Sequence, residues 1–463
     1  MHLTVTFWRR SSQLLCLTFF LFLFFKTDYS GADELNWAVN LIFRIDPFLA
    51  LASMLAGKEV IFLMLPAVAT LLLTVIFSRF FCGWACPMGT LIDGCGCLLR
   101  PIRKNTHPGR PEIKYYLLFF LIPAALFGLP IAGYIDPFSL LVRGLTFALH
   151  PALDTAATRF FTFTYQHAPD WVNALTEPVY AVMKRTVLPA TGKLFSLSLV
   201  SLFLLLLVIG LSRLERRFFC RKVCPLGALL ALCSRISPIR LSSGSASCGK
   251  CQTCRTVCRM GAIDEKKDIS NAECILCLDC MEKCPKSRFS YGWKKPDADV
   301  SRPAGISRRA FLASVTAGAA IPLVLPARPL AKHPDPLLIR PPGSLAETAF
   351  LGRCVRCGEC MKVCIGNALH PVFLEAGVEG IFTPRLIGRT GYCEYNCTLC
   401  GQACPTGAIR LLLREEKHAI VIGRAYFDKN RCLPYADGVP CIVCEEHCPT
   451  PDKAIKFREV TTM

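Results

Sequence analysis

The chain has 463 residues, 28 of them cysteine, a formal net charge of +19 and a mean hydropathy of +0.41. This length is too great for one domain, and this hydropathy is higher than a soluble enzyme shows, so we expect several units and a membrane-embedded part. The basic residues fall beside apolar segments and no nucleic-acid recognition module is visible, which excludes nucleic acid as a partner.

Four apolar segments in the first half predict membrane-spanning helices. They cover residues 12–25, 60–77, 113–133 and 194–211, close to the ~20 residues that cross a bilayer. Basic residues flank the first, second and fourth segments, so the positive-inside rule places the N-terminus in the cytoplasm. No pair of histidines lies within these segments, and we therefore expect no haem.

The first half also contains an internal repeat. The tetrapeptide Ile45-Asp46-Pro47-Phe48 recurs at residues 135–138, and the motif Phe81-Cys82-x-x-x-Cys86-Pro87 recurs at residues 219–225. Both motifs occur in the same order in each copy. Two related halves of this kind can enclose a shared site between them.

The aspartates of the repeat, Asp46 and Asp136, have two interpretations. An Asp-Pro step starts a helix well, because Asp caps the first turn and Pro fits the first helical position. Alternatively, each carboxylate accepts a proton when a quinol loses its electrons. The second interpretation makes Asp46 and Asp136 catalytic candidates.

The cysteines of the repeat are candidates for a redox or metal site. They can meet across the boundary between the two copies and offer four thiolates to one metal or cluster. Alternatively, each pair is a redox-active dithiol, or all four are small buried residues. The recurring Phe and Pro neighbours favour a redox or metal site. These cysteines are Cys82, Cys86, Cys220 and Cys224.

Eight cysteines after the repeat predict a two-cluster ferredoxin module. The spacing Cys-x-x-Cys-x-x-Cys-x-x-x-Cys-Pro over residues 274–285 is typical of [4Fe–4S] ligands, in which the fourth cysteine serves the other cluster. A zinc site usually shows two Cys-x-x-Cys pairs instead. The crossed rule predicts one cluster on Cys248, Cys251, Cys254 and Cys284, and a second on Cys258, Cys274, Cys277 and Cys280.

A polar linker leads to a second basic and apolar segment. Arg308 and Arg309, followed by small and apolar residues as far as Leu325, resemble a twin-arginine export signal, with cleavage expected near Ala331. The alternative is a fifth membrane span. Both interpretations place the following module outside the cytoplasm, on a proline-rich tether over residues 327–343.

Three more cysteine quartets follow the tether. The first two predict another crossed pair of clusters. The third has a long first gap and no partner quartet after it, so either it is self-contained or the chain is a truncated version of a longer product. The predicted sets are Cys354, Cys357, Cys360 and Cys404; Cys364, Cys393, Cys397 and Cys400; and Cys432, Cys441, Cys444 and Cys448.

These motifs resemble two known protein types. Residues 1–295, with the doubled Phe-Cys-x-x-x-Cys-Pro motif and the ferredoxin segment, resemble the membrane quinol-dehydrogenase subunit of periplasmic nitrate reductase systems. Residues 301–463 resemble its exported ferredoxin-type partner, and the same two types occur in methylamine utilisation. The resemblance implies a fusion of the two that oxidises membrane quinol and delivers electrons to a periplasmic acceptor.

The expected fold is a membrane α-helical bundle of four spans plus a fifth, with two α+β ferredoxin-like [4Fe–4S] modules. The predicted units are a membrane domain (1–240), a cytoplasmic two-cluster module (241–290), a linker (291–349) and a periplasmic multi-cluster module (350–463). The expected location is the bacterial inner membrane.

The predicted function is electron transfer from quinol, through four to five [4Fe–4S] clusters, to a periplasmic reductase or cytochrome. Membrane lipid, the quinone pool and that periplasmic protein are the expected partners. One alternative is a redox-sensing or maturation protein that supplies electrons for the assembly of another enzyme. Another is a subunit of a larger reductase without quinone chemistry of its own.

Overall fold

The computed structural model describes residues 4–96, 101–102, 112–189, 191–244, 248, 251–293, 306–324, 337–448 and 450–456. The predicted cleavage point near Ala331 and the first part of the predicted tether lie outside these residues.

Helices form most of the first half of the chain. Short 3-10 turns occur at Phe62–Met64, Leu211–Arg213 and Ser234–Ile236, and a π-helical turn at Leu145–Leu149. The helices are α1 (Val5–Lys26), α2 (Leu41–Arg44), α3 (Pro47–Gly57), α4 (Pro66–Phe77), α5 (Phe80–Trp84), α6 (Pro87–Cys95), α7 (Glu112–Leu126), α8 (Ala132–Ile135), α9 (Pro137–Gly144), α10 (His150–His167), α11 (Asp170–Thr186), α12 (Ser198–Gly210), α13 (Phe218–Lys222) and α14 (Pro225–Cys233).

The cysteine-rich parts combine short helices with short antiparallel strands, the α+β character expected of them. Strands β1 (Ile239–Ser243) and β2 (Phe289–Trp293) pair with Ile239 opposite Trp293, and strands β3 (Leu369–Pro371) and β4 (Pro384–Leu386) pair with Leu369 opposite Leu386. The helices are α15 (Thr253–Val257), α16 (Asp279–Glu282), α17 (Arg308–Val324), α18 (Glu347–Arg353), α19 (Glu359–Val363), α20 (Leu399–Ala403), α21 (Arg414–Ala419), α22 (Leu433–Ala436) and α23 (Val443–Glu446), with a 3-10 turn at Val378–Gly380.

Over the described ranges, no helix is both long enough and apolar enough to cross a bilayer. The second, third and fourth predicted spans form helices of 12, 15 and 13 residues, α4, α7 and α12. Helix α1 has 22 residues but includes Arg9, Arg10 and Lys26, and α17 has 17 residues.

This finding overturns two predictions from the sequence. The membrane bundle of four spans plus a fifth is wrong, and so is the multi-pass inner-membrane location with a cytoplasmic N-terminus and a periplasmic C-terminal module. The physical reason is that the apolar segments contain helix ends and helix breakers. Helix α4 begins only at Pro66, after the 3-10 turn at Phe62–Met64. Pro123 lies inside α7, which ends before Gly128 at φ 88°.

The twin-arginine-like segment forms helix α17, which packs against α7. The ring of Phe311 lies 4.7 Å from that of Phe119, and the backbone N–H of Ser307 donates to the hydroxyl of Tyr116 at 3.0 Å. Whether the segment is an export signal stays a prediction.

The two copies of the repeat have the same local structure. Asp46 and Asp136 cap the helices that begin at the next proline, α3 and α9. Cys86 and Cys224 cap α6 and α14 in the same way. One apolar core joins the two copies and includes Phe48, Phe81, Phe138 and Phe219.

Two cysteine-rich modules, the first module with Cys248–Cys284 and the second module with Cys354–Cys448, meet this helical core through the same kind of junction. The carbonyl of Ile275, next to Cys274, faces Gly83, and the carbonyl of Val355, next to Cys354, faces Gly133. A Cβ atom on either glycine would lie 2.2 Å from that oxygen. Because real Cβ atoms do not come so close, each junction requires glycine.

A buried ion cluster ties the second module to the end of α1. Asp28 binds Lys362 and lies 3.3 Å from Nζ of Lys193 and 3.8 Å from Nε2 of His150. Burial alone raises the pKa of Asp28, but the charges of Lys362 and Lys193 outweigh it and lower that pKa. The ionised carboxylate therefore stabilises the fold fully above the ordinary pKa of about 3.9, and its contribution is lost as pH falls through the lowered pKa.

We expect Asp28→Asn to destabilise the protein by roughly 3–5 kcal/mol, because the buried ammonium of Lys362 loses its ion partner. The measurement is the apparent melting temperature together with protease digestion of the second module. Glu177→Gln, on an exposed position of α11, is the control. If Asp28→Asn melts like this control, the ion cluster does not hold the module.

Candidate metal centres

Two cavities in the second module are each lined by four cysteines. Their volumes are about 20 Å³ and 30 Å³. Each cavity draws its cysteines from both quartets, in the sets that the crossed rule names. That these cysteines ligate clusters stays a prediction. The sets are Cys354, Cys357, Cys360 and Cys404 in the first cavity, and Cys364, Cys393, Cys397 and Cys400 in the second.

The first module repeats this arrangement. A cavity of about 10 Å³ is lined by the crossed set Cys258, Cys274, Cys277 and Cys280. In the other predicted set, the thiol of Cys254 interacts electrostatically with those of Cys284 and Cys248. Cys251, the fourth member, donates its backbone N–H to the carbonyl of Cys248 at 3.0 Å.

A left-handed residue positions the third cysteine of each main triplet. Leu278 has φ 58° and Gly358 has φ 86°, and each lies between the second and third cysteine. The chain turns there into a short helix, α16 with Cys280 or α19 with Cys360. A leucine rarely adopts this conformation, so the surroundings of Leu278 must stabilise it.

The protonation of these cysteines indicates what can bind them. Burial raises the pKa of Cys360 well above its usual range, and the neighbouring thiols raise it further. Burial also raises the pKa of Cys274 to about 12 and that of Cys277 to about 11. Thiols of this kind become thiolates when iron supplies positive charge. Four cysteines around a cavity therefore fit a [4Fe–4S] cluster.

Two further findings concern metal binding by the other residues and by the last quartet. In the part of the chain that the structure describes, no set of three or more His, Cys, Asp or Glu side chains is arranged to hold a single metal ion. The last quartet is not buried: Cys444 is exposed, Cys432 and Cys441 are half-buried, and Cys448 contacts Thr450. Its role as a ligand set stays a prediction.

The cysteines of the repeat form a further buried group, here called the central cysteine group (Cys82, Cys86, Cys220 and Cys224). The thiol of Cys86 interacts electrostatically with Cys82 and Cys220, and that of Cys224 with all three others. Backbone N–H groups donate to two of the sulfurs, Gly89 to Cys86 at 3.4 Å and Gly227 to Cys224 at 3.2 Å. The group also packs on the core of the first module through Cys82 and Cys220.

Two buried arginines cross between the copies to reach the central cysteine group. Arg79 belongs to the first copy, yet its Nη2 lies 3.1 Å from where a Cβ of Gly227 would stand, beside Cys224. Arg217 belongs to the second copy, and its Nη1 donates to the carbonyl of Cys82 at 2.9 Å. Positive charge beside buried sulfur stabilises thiolates or an anionic cluster.

Sequence reasoning assigned these arginines to membrane orientation and missed this contact. Arg79-Phe80-Phe81-Cys82 and Arg217-Phe218-Phe219-Cys220 are identical tetrapeptides. An arginine that recurs at a fixed distance from the repeated cysteines was the signal that pointed to the site.

Asp46 and Asp136 meet in the same core. Each caps its helix with one carboxyl oxygen, as the first interpretation predicts. The two carboxyl groups also interact electrostatically, and both side chains are fully buried. A catalytic role for them stays a prediction.

The comparisons with protein families match the cysteine-bearing segments. A family described as a 4Fe-4S binding domain matches residues 60–105 and 196–243, the segments that supply the central cysteine group. A second family, described as NosR, matches residues 246–288 of the first module.

Curated relatives show the family. The chain is 34% identical over 173 residues to the methylamine utilization ferredoxin-type protein MauM of Methylorubrum extorquens, a match that covers 35% of this chain and 76% of the relative. The chain belongs to the MauM/NapG family of ferredoxin-type proteins. It is also 33% identical over 153 residues to the ferredoxin-type protein NapG of Escherichia coli, covering 32% of this chain. The MauM of Methylophilus methylotrophus is 34% identical over 125 residues, 27% of this chain.

These matches confirm a ferredoxin-type protein of the MauM/NapG family with 4Fe-4S binding segments. The chain spans 65% of the length of the Escherichia coli NapG and 54% of the Methylophilus MauM. No solved structure matches it.

Double variants distinguish crossed from sequential ligation in this MauM/NapG protein. If ligation is crossed, Cys354→Ser with Cys404→Ser removes the iron and sulfide of one cluster only, because both cysteines serve the same cavity. Cys400→Ser with Cys404→Ser then removes two clusters. Sequential ligation gives the opposite pattern. Iron and sulfide per chain are the measurement, and Cys233→Ser is the control, expected to lose none.

The two crossing arginines give a test of the central cysteine group. We expect Arg79→Gln and Arg217→Gln to lower its midpoint potential by roughly tens of millivolts, because positive charge favours the more negative, reduced state. Neither variant leaves an orphaned acid, since Lys114 still binds Glu273 and Arg259 still binds Asp93. Potentiometric titration followed by paramagnetic resonance measures the shift. Arg216→Gln, exposed and adjacent in sequence, is the control, and equal potentials in all variants would contradict the role of the arginines.

Proposed function

We propose that this ferredoxin-type protein transfers electrons between its two cysteine-rich modules through the helical core. The observation that carries the proposal is the continuity of that core. One set of packed apolar side chains includes Cys224 of the central cysteine group and both Val355 and Cys357 of the second module.

The contacts between the modules form three steps. On the side of the first module, Cys82 and Cys220 pack against the core that contains Cys274 and Cys277. In the middle, the rings of Phe81 and Phe138 lie 6.3 Å apart, edge to face.

On the side of the second module, the hydroxyl of Ser139 donates to the carbonyl of Val355 at 3.2 Å. Each of these three steps is therefore a direct contact between packed residues.

The residues of the chain prepare these sites for electron transfer. A [4Fe–4S] cluster, when bound by four cysteines, takes up and releases one electron. The backbone N–H groups of Gly89 and Gly227 and the guanidinium groups of Arg79 and Arg217 place positive charge at the sulfurs, which tunes the potential. Burial keeps water away from the reduced state.

We further propose that the electron donor is a quinol and the acceptor another redox protein. Oxidation of a quinol releases protons as well as electrons, and the same core contains the carboxyl pair of Asp46 and Asp136. The names of the relatives, which refer to ferredoxin-type proteins, support the electron-transfer part of this proposal.

The test is anaerobic reduction of the purified protein by a water-soluble naphthoquinol, followed by freeze-quench paramagnetic resonance. In wild-type protein both modules become reduced. In the variant with Cys86→Ser and Cys224→Ser, we expect reduction of one module to continue and that of the other to slow by at least about tenfold, because the connection through the core is broken. The signals of the second module are assigned with Cys404→Ser and Cys364→Ser.

Two controls separate the parts of this proposal. Cys233→Ser, nine residues after Cys224 at the end of α14, is expected to transfer electrons at the wild-type rate. Transfer at that rate in the double variant would rule out a route through the central cysteine group. Reduction by dithionite without reduction by the quinol would rule out the quinol as donor and leave the route intact.

A further inference from the structure

The carboxyl groups of Asp46 and Asp136 form a fully buried pair at equivalent positions of the repeat. Oδ1 of Asp46 accepts from the backbone N–H groups of Phe48 and Leu49 at 2.8 and 3.0 Å. Oδ2 of Asp136 accepts from the N–H groups of Phe138 and Ser139 at 3.0 and 2.8 Å. Helix capping thus uses one oxygen of each carboxyl group.

The second oxygen of each group is not used for capping. Within the described residues, Oδ2 of Asp46 and Oδ1 of Asp136 are buried without a hydrogen-bond partner, and the two carboxyl groups are close enough to interact electrostatically. A carboxylate oxygen cannot donate. A hydrogen bond between the two groups therefore requires a proton on one of them.

The electrostatic interactions of the two carboxyl groups also indicate that the pair holds one proton. Burial and the neighbouring charge of Asp136 raise the pKa of Asp46 well above its usual range. Burial raises the pKa of Asp136 to about 6, against the lowering effect of its two backbone N–H donors. Two adjacent buried carboxylates do not both ionise near neutral pH. The second proton therefore binds to the pair only at a lower pH than the first.

The charged groups around the pair do not replace this proton. Arg143 on α9 acts on Asp136, but its guanidinium donates to the carbonyls of Gly133 and Tyr134. Helices α4 and α12, which pack on α3 and α9, carry no titratable side chain. Most titratable side chains on the other packed elements bind partners elsewhere: Lys114 and Tyr115 bind Glu273, Asp93 binds Arg217, Glu347 binds Arg340 and Arg353 binds Glu59. The remaining titratable residues of these elements are Arg44, Glu112, Tyr116, Tyr134, Cys95 and Cys233.

The pair lies between two of the cysteine groups. Phe138, whose N–H binds Asp136, contacts Phe81, the neighbour of Cys82 in sequence. Ser139, whose N–H also binds Asp136, donates its hydroxyl to Val355, next to Cys354. A charge that enters either cysteine group therefore acts on the pair across very few residues.

We propose that Asp46 and Asp136 form a proton-binding site that holds one shared proton near neutral pH and binds a second when an electron enters the core. The first part is a property of the pair alone, and the second rests on the proposed function. The electron comes from the donor and the proton from the donor or from water, so the core gains no net charge. When the electron leaves, one O–H bond of the pair breaks and that proton returns to water.

The chemistry of a quinol donor fits this exchange. A quinol that is oxidised to a quinone gives up two electrons and two protons. The pair accepts one of these protons as the first electron enters the core and releases it to water as that electron leaves for the acceptor. The second electron and the second proton then follow the same course. The pair thereby combines both interpretations of the two aspartates, since capping and proton binding use different oxygens.

The test compares wild-type protein with Asp46→Asn, Asp136→Asn and the double variant. Asparagine also caps helices, so both helices keep their caps. Infrared spectra of the oxidised protein above pH 7, recorded before and after exchange into deuterium oxide, detect a protonated buried carboxyl group. We expect its band in wild-type protein and its loss in all three variants, because an asparagine amide can donate to the remaining carboxylate. Asp264→Asn, an exposed turn position whose carboxylate binds the N–H of Asp268, is expected to keep the band.

A second measurement tests the link to the electron. Midpoint potentials are titrated between pH 5 and 9; in wild-type protein and Asp264→Asn we expect at least one potential to fall with rising pH, and in the double variant we expect that dependence to be lost. Absence of the infrared band from wild-type protein overturns the shared proton, whether or not electrons cross the core. A band with unchanged pH dependence in the variants overturns only the redox-linked part. Loss of transfer between the modules with the band present refutes the proposed function and leaves the shared proton standing.

Discussion

The protein depends on keeping sulfur buried in sets of four, which is unfavourable unless positive charge is present. A lone buried thiol simply keeps its proton, but several thiols packed around one cavity raise one another's pKa further, as Cys360 and its neighbours show. Ligation by iron converts this unfavourable arrangement into a favourable one, because each thiolate gains a cation and the cavity is filled. In both modules the short strands and short helices pack around buried cores that include these cysteines. The central cysteine group follows the same rule and adds two permanent cations, Arg79 and Arg217.

Duplication explains how a small helical core supplies these charges. Neither copy of the repeat can complete a four-cysteine group by itself. Each arginine acts on a cysteine of its own copy and also on one of the other copy. The arginine of each copy also reaches the glycine that follows the cysteines of the other copy, which makes the two copies interdependent. Glycine also allows close approach at the two module junctions, where a backbone carbonyl lies against Gly83 and another against Gly133.

How far the sequence predicts this structure depends on the range of the interaction. Cysteine spacing is local, and the crossed sets inferred from it are the sets that line the three cavities. Hydropathy, in contrast, averages over a window and does not register where a helix ends. It therefore counted Pro123 and Gly128 as parts of one span, although the first lies inside helix α7 and the second follows its end. The arginines were misassigned for a related reason, since charge near an apolar segment has one meaning in a membrane and another beside a buried sulfur. The contact between Asp46 and Asp136 joins residues ninety positions apart, and only the repeat hinted at it.

Electron entry into such a core poses a problem of charge balance that fixed cations cannot solve. Arg79 and Arg217 stabilise negative charge permanently, so they set the potential at which an electron is accepted but cannot respond when it arrives. Adding a whole charge to a buried, poorly solvated region costs several kcal/mol by the usual desolvation argument. A group that can change its own charge by one unit removes that cost, and a carboxyl pair with a shared proton is such a group. The position of Asp46 and Asp136, between the central cysteine group and the Cys354 cavity, is where a compensating proton acts on both at once. The fixed charges of the arginines thus set the affinity of the core for the electron. The exchangeable proton of the aspartate pair keeps the core neutral when the electron moves.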